Sequence, residues 1–465
     1  MNLIGFILLW GWTPVAVALR AVLSARTGTV VIGMLGWMFL PQAGFKIPGV
    51  PLTATNKMGV MALSMLLAAA VYDQAKFARL RFSLIDLVAV GWLVAPLVTG
   101  AMVGAAWEEA VGFTLQHATV WIVPYVIGRV VLSERGSLRM LLWVVVLCAA
   151  AYAPLCWFEM RFSPQLHNWT YGFHQHSFIQ ARRGDGFRPT VFMQHGLAVA
   201  LFMSMGMVAA FALWMTEAKR ARLHAGLAAL VLGATLVGCK SFGAMALGAG
   251  GIGVLLACRA LKATWPLAVL ALVPMVYVVA RTAGGWSGEE LVSLVSVLSD
   301  RDESLAVRLR SEASVWEALG SNRMFGVLRF STFKDIDEGT SVFADGLWLI
   351  ALNRTGIVGL CVLFGLMVLP SLAALRRVGS LGGPWADRAP VAGAAYLAIM
   401  LSFDNLANCM FNPLMGLVLG GLVTYSRLPR AGVLGQPIAG PGLRDPGVVG
   451  GGVGRRVGVG GVAAG

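Results

Sequence analysis

Long apolar runs alternate with short polar clusters along most of the chain. The runs long enough to be read as membrane crossings are 3–23, 29–41, 58–72, 84–106, 110–132, 138–157, 191–215, 225–239, 242–257, 267–280, 344–375, 391–402 and 410–425. A backbone surrounded by hydrocarbon must satisfy its own polar groups, so the runs predict helices. The expected fold is therefore an all-α polytopic membrane protein with about 12–13 transmembrane helices. Two long polar connections interrupt the pattern, giving six sections. These are N-terminal crossings (1–157), a first loop (158–190), central crossings (191–281), a larger, partly helical loop (282–343), C-terminal crossings (344–426) and a tail (427–465). The tail is Gly, Val and Pro with a few arginines, a composition that builds no core and predicts a disordered extension.

Composition agrees with this pattern. Hydrophobic residues make up 58% of the chain and charged ones 12%, about half the charged share of a soluble domain. The net charge of +14 would suggest a nucleic-acid partner in a soluble protein. Here the basic residues flank apolar spans and no nucleic-acid-binding motif accompanies them, so no nucleic acid is expected. Lys76, Arg79 and Arg81, then Arg135 and Arg139, then Lys219, Arg220 and Arg222, then Arg259 and Lys262, then Arg376, Arg377 and Arg388, then Arg427 and Arg430 fall on every second connection. Those connections are expected to be cytoplasmic, and the two long loops to lie outside, because insertion retains short basic loops. The N-terminus is outside if both early runs cross, and inside if one does not. The six cysteines stand singly within or beside apolar runs without metal-binding or disulfide spacing, and read as small hydrophobes.

Candidate chemistry concentrates on the outer side. Arg182, Arg183 and Arg188 precede a span that opens with Gln194 and His195. Arg188 either snorkels to lipid phosphates or binds an anion. Lys240 and Ser241 form the turn between two spans. Asp345 opens a long span with Asn353 and Arg354 deeper in it, and Asp404, Asn405 and Asn408 add a further polar cluster. Lys240 and Asp345 read either as a packed ion pair or as parts of a cationic pocket containing a carboxylate. The second arrangement suits a phosphate-bearing lipid whose leaving group is stabilised while a hydroxyl is deprotonated. The segment after residue 300 has apolar residues at Leu305, Leu309, Val315 and Leu319, which predicts an amphipathic helix lying over the membrane. Its Arg308, Arg310 and Arg323 either bind an anionic headgroup or form a solvated face with Glu312 and Glu317. His167, His174 and His176 have no adjacent acidic partner and make a weak metal pattern.

From residue 182 to 360 the order of these features resembles the O-antigen ligase and O-antigen polymerase superfamily. An outer arginine precedes a span carrying a polar or histidine motif, as Arg188 to His195 does. A basic turn beside a serine follows, similar to Lys240 and Ser241. A large outer loop ending in a Phe-Gly turn, as in SNRMFGV, leads to a span that opens on a polar residue and ends Gly-Ile-Val-Gly. Two departures stand out: Asp345 and Gly346 occupy the place of a His-Asn pair, and Lys240 that of an arginine. The resemblance implies a GT-C-like, inverting glycosyltransferase that works without a metal or other cofactor. It implies a multi-pass protein of a bacterial inner membrane whose site faces the periplasm. The donor would be an undecaprenyl-pyrophosphate-linked glycan and the acceptor a glycan or lipid-linked sugar, in lipopolysaccharide or exopolysaccharide synthesis. Arg188, Lys240 and Arg308 would hold the pyrophosphate, and Asp345, or else His195, would act on the acceptor hydroxyl. The alternative is a transporter or flippase of a lipid-linked glycan, although the chain has no duplicated halves.

Overall fold

Ten helices among the described residues are long and apolar enough to cross a membrane, from Leu3–Val22 to Trp385–Ala407. Three shorter apolar helices, Gly28–Phe39, Lys57–Tyr72 and Pro413–Ser426, fall where further crossings are expected. The structure, a computed structural model, describes residues 1–428 apart from 25, 46–51, 135, 184–185, 284, 299–301, 330–332, 335–340, 343–344 and 382. The chain is thus an all-α, multi-pass membrane protein. The expected disordered tail lies, from 429 onward, outside the described residues.

Helices that are apolar on all sides either fill a core or face lipid. Both kinds occur. Gly196–Trp214 and Trp385–Ala407 are 83% buried over their apolar windows and form the centre, whereas Leu3–Val22 and Lys219–Gly238 are 22% buried and face outward. On the basic face, carboxylates pair with the cations that mark it. Arg129 bonds both oxygens of Asp86 at 3.0 Å, Asp73 takes Arg20 at 3.4 Å and Lys76 at 2.9 Å, and Arg139 pairs with Glu217.

The opposite face carries the loops, and the N-terminus belongs to it. The Asn2 backbone N–H donates to Tyr171 O at 2.8 Å and its side-chain amide to Thr170 O at 2.9 Å, both in the first long loop. The end of the second early run returns to the same face, where the Phe39 carbonyl accepts from Tyr171 Oη. In the second long loop the expected amphipathic helix is Asp302–Ala318, with Leu309, Val315 and Leu319 buried. Its Glu312 is not part of a solvated face. The carboxylate is buried and accepts from Tyr277 Oη at 2.8 Å and Arg281 Nε at 2.7 Å, tying the loop helix to the end of Trp265–Thr282.

Three expectations need correction. The span expected from 191 becomes helical only at Gly196. Val191 has φ +48°, a left-handed conformation that a β-branched residue adopts only under constraint, so 190–195 is irregular chain buried at the loop face. Asp345 does not open its helix. The helix is Leu347–Leu381, and Asp345 is exposed before it, with no hydrogen bond or ion pair among the described residues. The Leu347 N–H instead donates to Asn408 O, and Gly346 lies so close to the Leu406 carbonyl that a Cβ there would clash with it.

The third correction concerns continuity. Leu347–Leu381 is broken at Gly356, whose φ of 63° and ψ of −166° belong to a region open essentially to glycine alone. A break at membrane depth strands backbone groups, and non-helical chain is tolerated there only where protein supplies partners. The end of the loop does so. Val327 N–H donates to Asn353 O at 2.8 Å, Leu328 N–H to Arg354 O at 3.2 Å, and Val358 N–H to Met324 O at 3.2 Å. Gly326, with φ +73°, brings the loop backbone against this break. Gly356→Ala would force a Cβ into the Met324 carbonyl. We expect it to undock this segment and to raise the rate of limited proteolysis within 283–346 about tenfold, with far-ultraviolet helicity nearly unchanged.

Candidate functional site

The site is built on the irregular stretch between the first loop and Gly196. An antiparallel pair, Arg182–Arg183 with Gly186–Phe187, turns the chain back so that Arg188 N–H reaches Ala181 O at 2.8 Å. Beyond it, Thr190 and Val191 N–H groups donate to Glu159 Oε2 at 2.8 and 2.7 Å, and Leu166 N–H donates to Glu159 Oε1 at 3.0 Å. The Phe192 N–H donates to Tyr152 Oη at 2.9 Å, and its carbonyl accepts from Lys57 Nζ at 2.9 Å. Gln194 Nε2 reaches Phe411 O at 3.2 Å. A stretch without secondary structure is thus held by Glu159 and Tyr152 from one helix, by Lys57 from another and by its own Gln194, as buried backbone requires.

Arg188 is only 2% exposed. Its guanidinium donates to Cys239 O at 3.3 Å and to Lys240 O at 2.8 Å. Those carbonyls end the helix Lys219–Gly238, where unsatisfied acceptors and the negative end of the helix dipole favour a cation. Arg188 does not snorkel. Lys240 lies in the left-handed region at φ +50°, and its Nζ donates to Arg183 O at 2.9 Å. Arg188 and Lys240, distant in sequence, therefore share one hydrogen-bonded corner.

A narrow cleft opens beside this corner, lined by Arg188, Thr190, His174, His176, Gln175 and His195 among others. His195 caps the helix Gly196–Trp214, its Nδ1 accepting from Leu197 N–H at 3.0 Å. The neutral ring must then carry its proton on Nε2. Burial, reinforced by His176, Arg188 and Arg183, lowers the His195 pKa to about 4. His195 is thus a neutral hydrogen-bond donor with its acceptor nitrogen already occupied. His167 is committed to the fold, taking the Gln42 N–H on Nε2 and donating from Nδ1 to Phe173 O, and burial lowers its pKa to about 4 as well.

These shifts give a pH prediction. The folded-state values lie below the unfolded one of about 6.5, so the neutral forms favour the fold. Their contribution is complete above pH 6.5 and is lost as pH falls toward 4. The unfolding temperature in detergent should therefore drop between pH 6.5 and 4, and His195→Gln should drop less than the parent over that interval. Equal slopes would contradict the assignment.

Asp345, Arg308 and Lys240 do not line the cleft. Arg308, half-buried on the loop helix, lies in Coulombic range of Glu312 and Asp404. Asp404 itself accepts from Asn408 Nδ2 at 2.8 Å. With Asn408 paired to Leu347, this forms a second polar group near Asp345. Reading the sequence missed Glu159, Lys57 and Tyr152, which position the site. The available signal was a lone carboxylate following an apolar run, because the helix Ser137–Phe162 continues beyond 157. No family model and no curated protein matches the chain.

Proposed function

We propose that this protein is a glycosyltransferase of the O-antigen ligase or polymerase type. In this reading it transfers or polymerises a polyprenyl-pyrophosphate-linked glycan at the periplasmic face of a bacterial inner membrane. The observation that carries the reading is the corner where buried Arg188 bonds the Lys240 carbonyl beside the histidine-lined cavity. It gives a fixed cation at the membrane surface, where negative charge on a departing lipid diphosphate needs compensation.

The reaction forms a bond between the acceptor oxygen and the anomeric carbon and breaks that carbon's bond to the diphosphate oxygen. The lipid diphosphate leaves, held by Arg188 and Lys240, with Arg308 approaching from the loop helix. His195, with Nε2–H free to point into the cavity, serves as a donor to the diphosphate rather than as a base. Asp345, exposed and unpaired among the described residues, takes the acceptor proton. These positive side chains then do the work a divalent ion does in other transferases.

Roles and ranking are tested with Asp345→Asn and His195→Gln in proteoliposomes carrying undecaprenyl-pyrophosphate-linked oligosaccharide and an acceptor glycan, with and without EDTA. The expected losses in turnover are about 100-fold for the first and about tenfold for the second, with EDTA without effect. Parental rates in both variants would remove these residues from the reaction.

One observation favours the alternative, a transporter of a lipid-linked glycan: the helix Leu347–Leu381 is discontinuous at Gly356, and broken helices line substrate sites in many transporters.

A further inference from the structure

A second, small cavity lies among three apolar helical runs, and two buried donors on its wall lack acceptors. It is lined by Trp92 of Leu84–Val103, by Gln116, His117 and Trp121 of Trp107–Val131, and by Arg354 of Leu347–Leu381, among others. Its space takes about one or two water molecules. It shares no lining residue with the cleft at Arg188.

The first orphaned donor belongs to the cation. Arg354 Nη1 donates to Gln116 Oε1 at 3.2 Å and the guanidinium lies 4.3 Å from the centre of the Phe113 ring, but Nε is buried without a hydrogen-bond partner. Among the described residues no carboxylate forms an ion pair with Arg354 or lies in Coulombic range of it. The second orphan is Trp92 Nε1, on a side chain only 2% exposed. His117 fixes that indole in the wall, donating from Nδ1 to the Trp92 carbonyl at 2.7 Å and stacking on the ring at 4.1 Å.

A water molecule could accept from both donors, but it would leave the guanidinium without a counter-charge among membrane-crossing helices, where an uncompensated cation is costly. A negative ion meets both needs. Size then selects the ion, since a space for one or two waters admits a monatomic halide and is too small for phosphate, sulfate or a carboxylate-bearing molecule. The position also links the ion to the fold. Arg354 stands two residues before the break at Gly356, and its carbonyl accepts from Leu328 N–H at 3.2 Å, where the end of the second long loop docks.

We propose that this cavity binds one chloride ion, held by Arg354 Nε and Trp92 Nε1, as the counter-ion of Arg354. The site stands whether or not the chain transfers sugars. An ion that binds the folded form alone stabilises it as the logarithm of ion concentration once the site begins to fill.

The test is thermal unfolding of the purified full-length protein in a non-ionic detergent, exchanged into sodium gluconate and titrated with chloride, bromide or sulfate at constant ionic strength. Parent, Arg354→Gln, Trp92→Phe and Lys219→Gln are compared. For the parent we expect the unfolding temperature to rise by about 1–3 °C per tenfold increase in chloride, similarly with bromide and not with sulfate. Arg354→Gln should lose this response. Trp92→Phe, which keeps a ring but not the donor, should need about tenfold more chloride for the same rise. Lys219→Gln removes an exposed cation elsewhere and should match the parent. An unfolding temperature insensitive to halide would leave only water beside Arg354 and overturn the proposal. So would a rise with sulfate equal to that with chloride, a parental response in Arg354→Gln or Trp92→Phe, or a response lost in Lys219→Gln. Should either cavity variant not fold, anomalous scattering from bromide in crystals of the parent decides. A peak between Arg354 and Trp92 supports the site, and peaks confined elsewhere overturn it.

Discussion

Arg188→Gln is expected to lower glycan transfer by about 100-fold or more per folded molecule, the usual effect of removing a preorganised charge donor from a developing anion. Two contributions combine. The cation beside the cavity disappears, and the Cys239 and Lys240 carbonyls lose the donors that Arg188 supplies. Uncapping buried carbonyls costs about 1–3 kcal/mol, so protein amounts must be matched by size-exclusion before rates are compared. Arg188→Lys separates the contributions. It keeps the charge but replaces a planar fork by a point donor that reaches one carbonyl poorly, and is expected to retain about a tenth of the activity. Should Arg188→Lys be as inactive as Arg188→Gln while equally stable, geometry rather than charge would be the requirement. Parental activity in Arg188→Gln would take the residue out of the site.

Glu159→Leu should have the largest effect on stability. Its carboxylate accepts three buried backbone N–H groups, two from the stretch that begins the site and one from the first long loop. Leaving each unsatisfied costs about 1–3 kcal/mol, and the sum rivals the total stability of a typical fold of about 5–15 kcal/mol. The expected result is little monodisperse protein after solubilisation. Glu159→Gln is milder but still unfavourable, because its amide nitrogen must face a donor. Its unfolding temperature should fall clearly below that of the parent, and a Glu159→Leu protein with a parental unfolding temperature would refute this account of the stretch.

The membrane helices were legible because their cause is local: lipid demands apolar runs, and insertion places the basic residues. The amphipathic helix under Leu309 and Val315 was legible for the same reason. What could not be read came from partners far apart in sequence. Nothing near Val191 announces that Glu159, Tyr152 and Lys57 will hold it out of a helix. Nothing near Gly356 announces that residues 324–328 return to pair with a broken turn; the glycine permits the break, but the loop makes it affordable. Within the site, the sequence grouped Arg188, Lys240 and His195 by analogy of order; Arg188 and His195 line one cleft and Arg188 bonds the Lys240 carbonyl, while Lys240 Nζ turns to Arg183 O. It also placed Asp345 at the head of the long span, whereas the helix starts two residues later and Asp345 is exposed before it. The tautomer of His195 was beyond reach, since it depends on a cap that exists only once the helix starts at Gly196.

The most direct test of the central claim uses the parent protein alone, reconstituted into vesicles with undecaprenyl-pyrophosphate-linked oligosaccharide labelled in its sugar, plus an acceptor glycan. The account predicts a lengthened or newly ligated labelled glycan together with an equal amount of free undecaprenyl pyrophosphate. Labelled donor that crosses the bilayer with its glycosidic bond intact, and no product with any acceptor offered, would contradict it and favour transport.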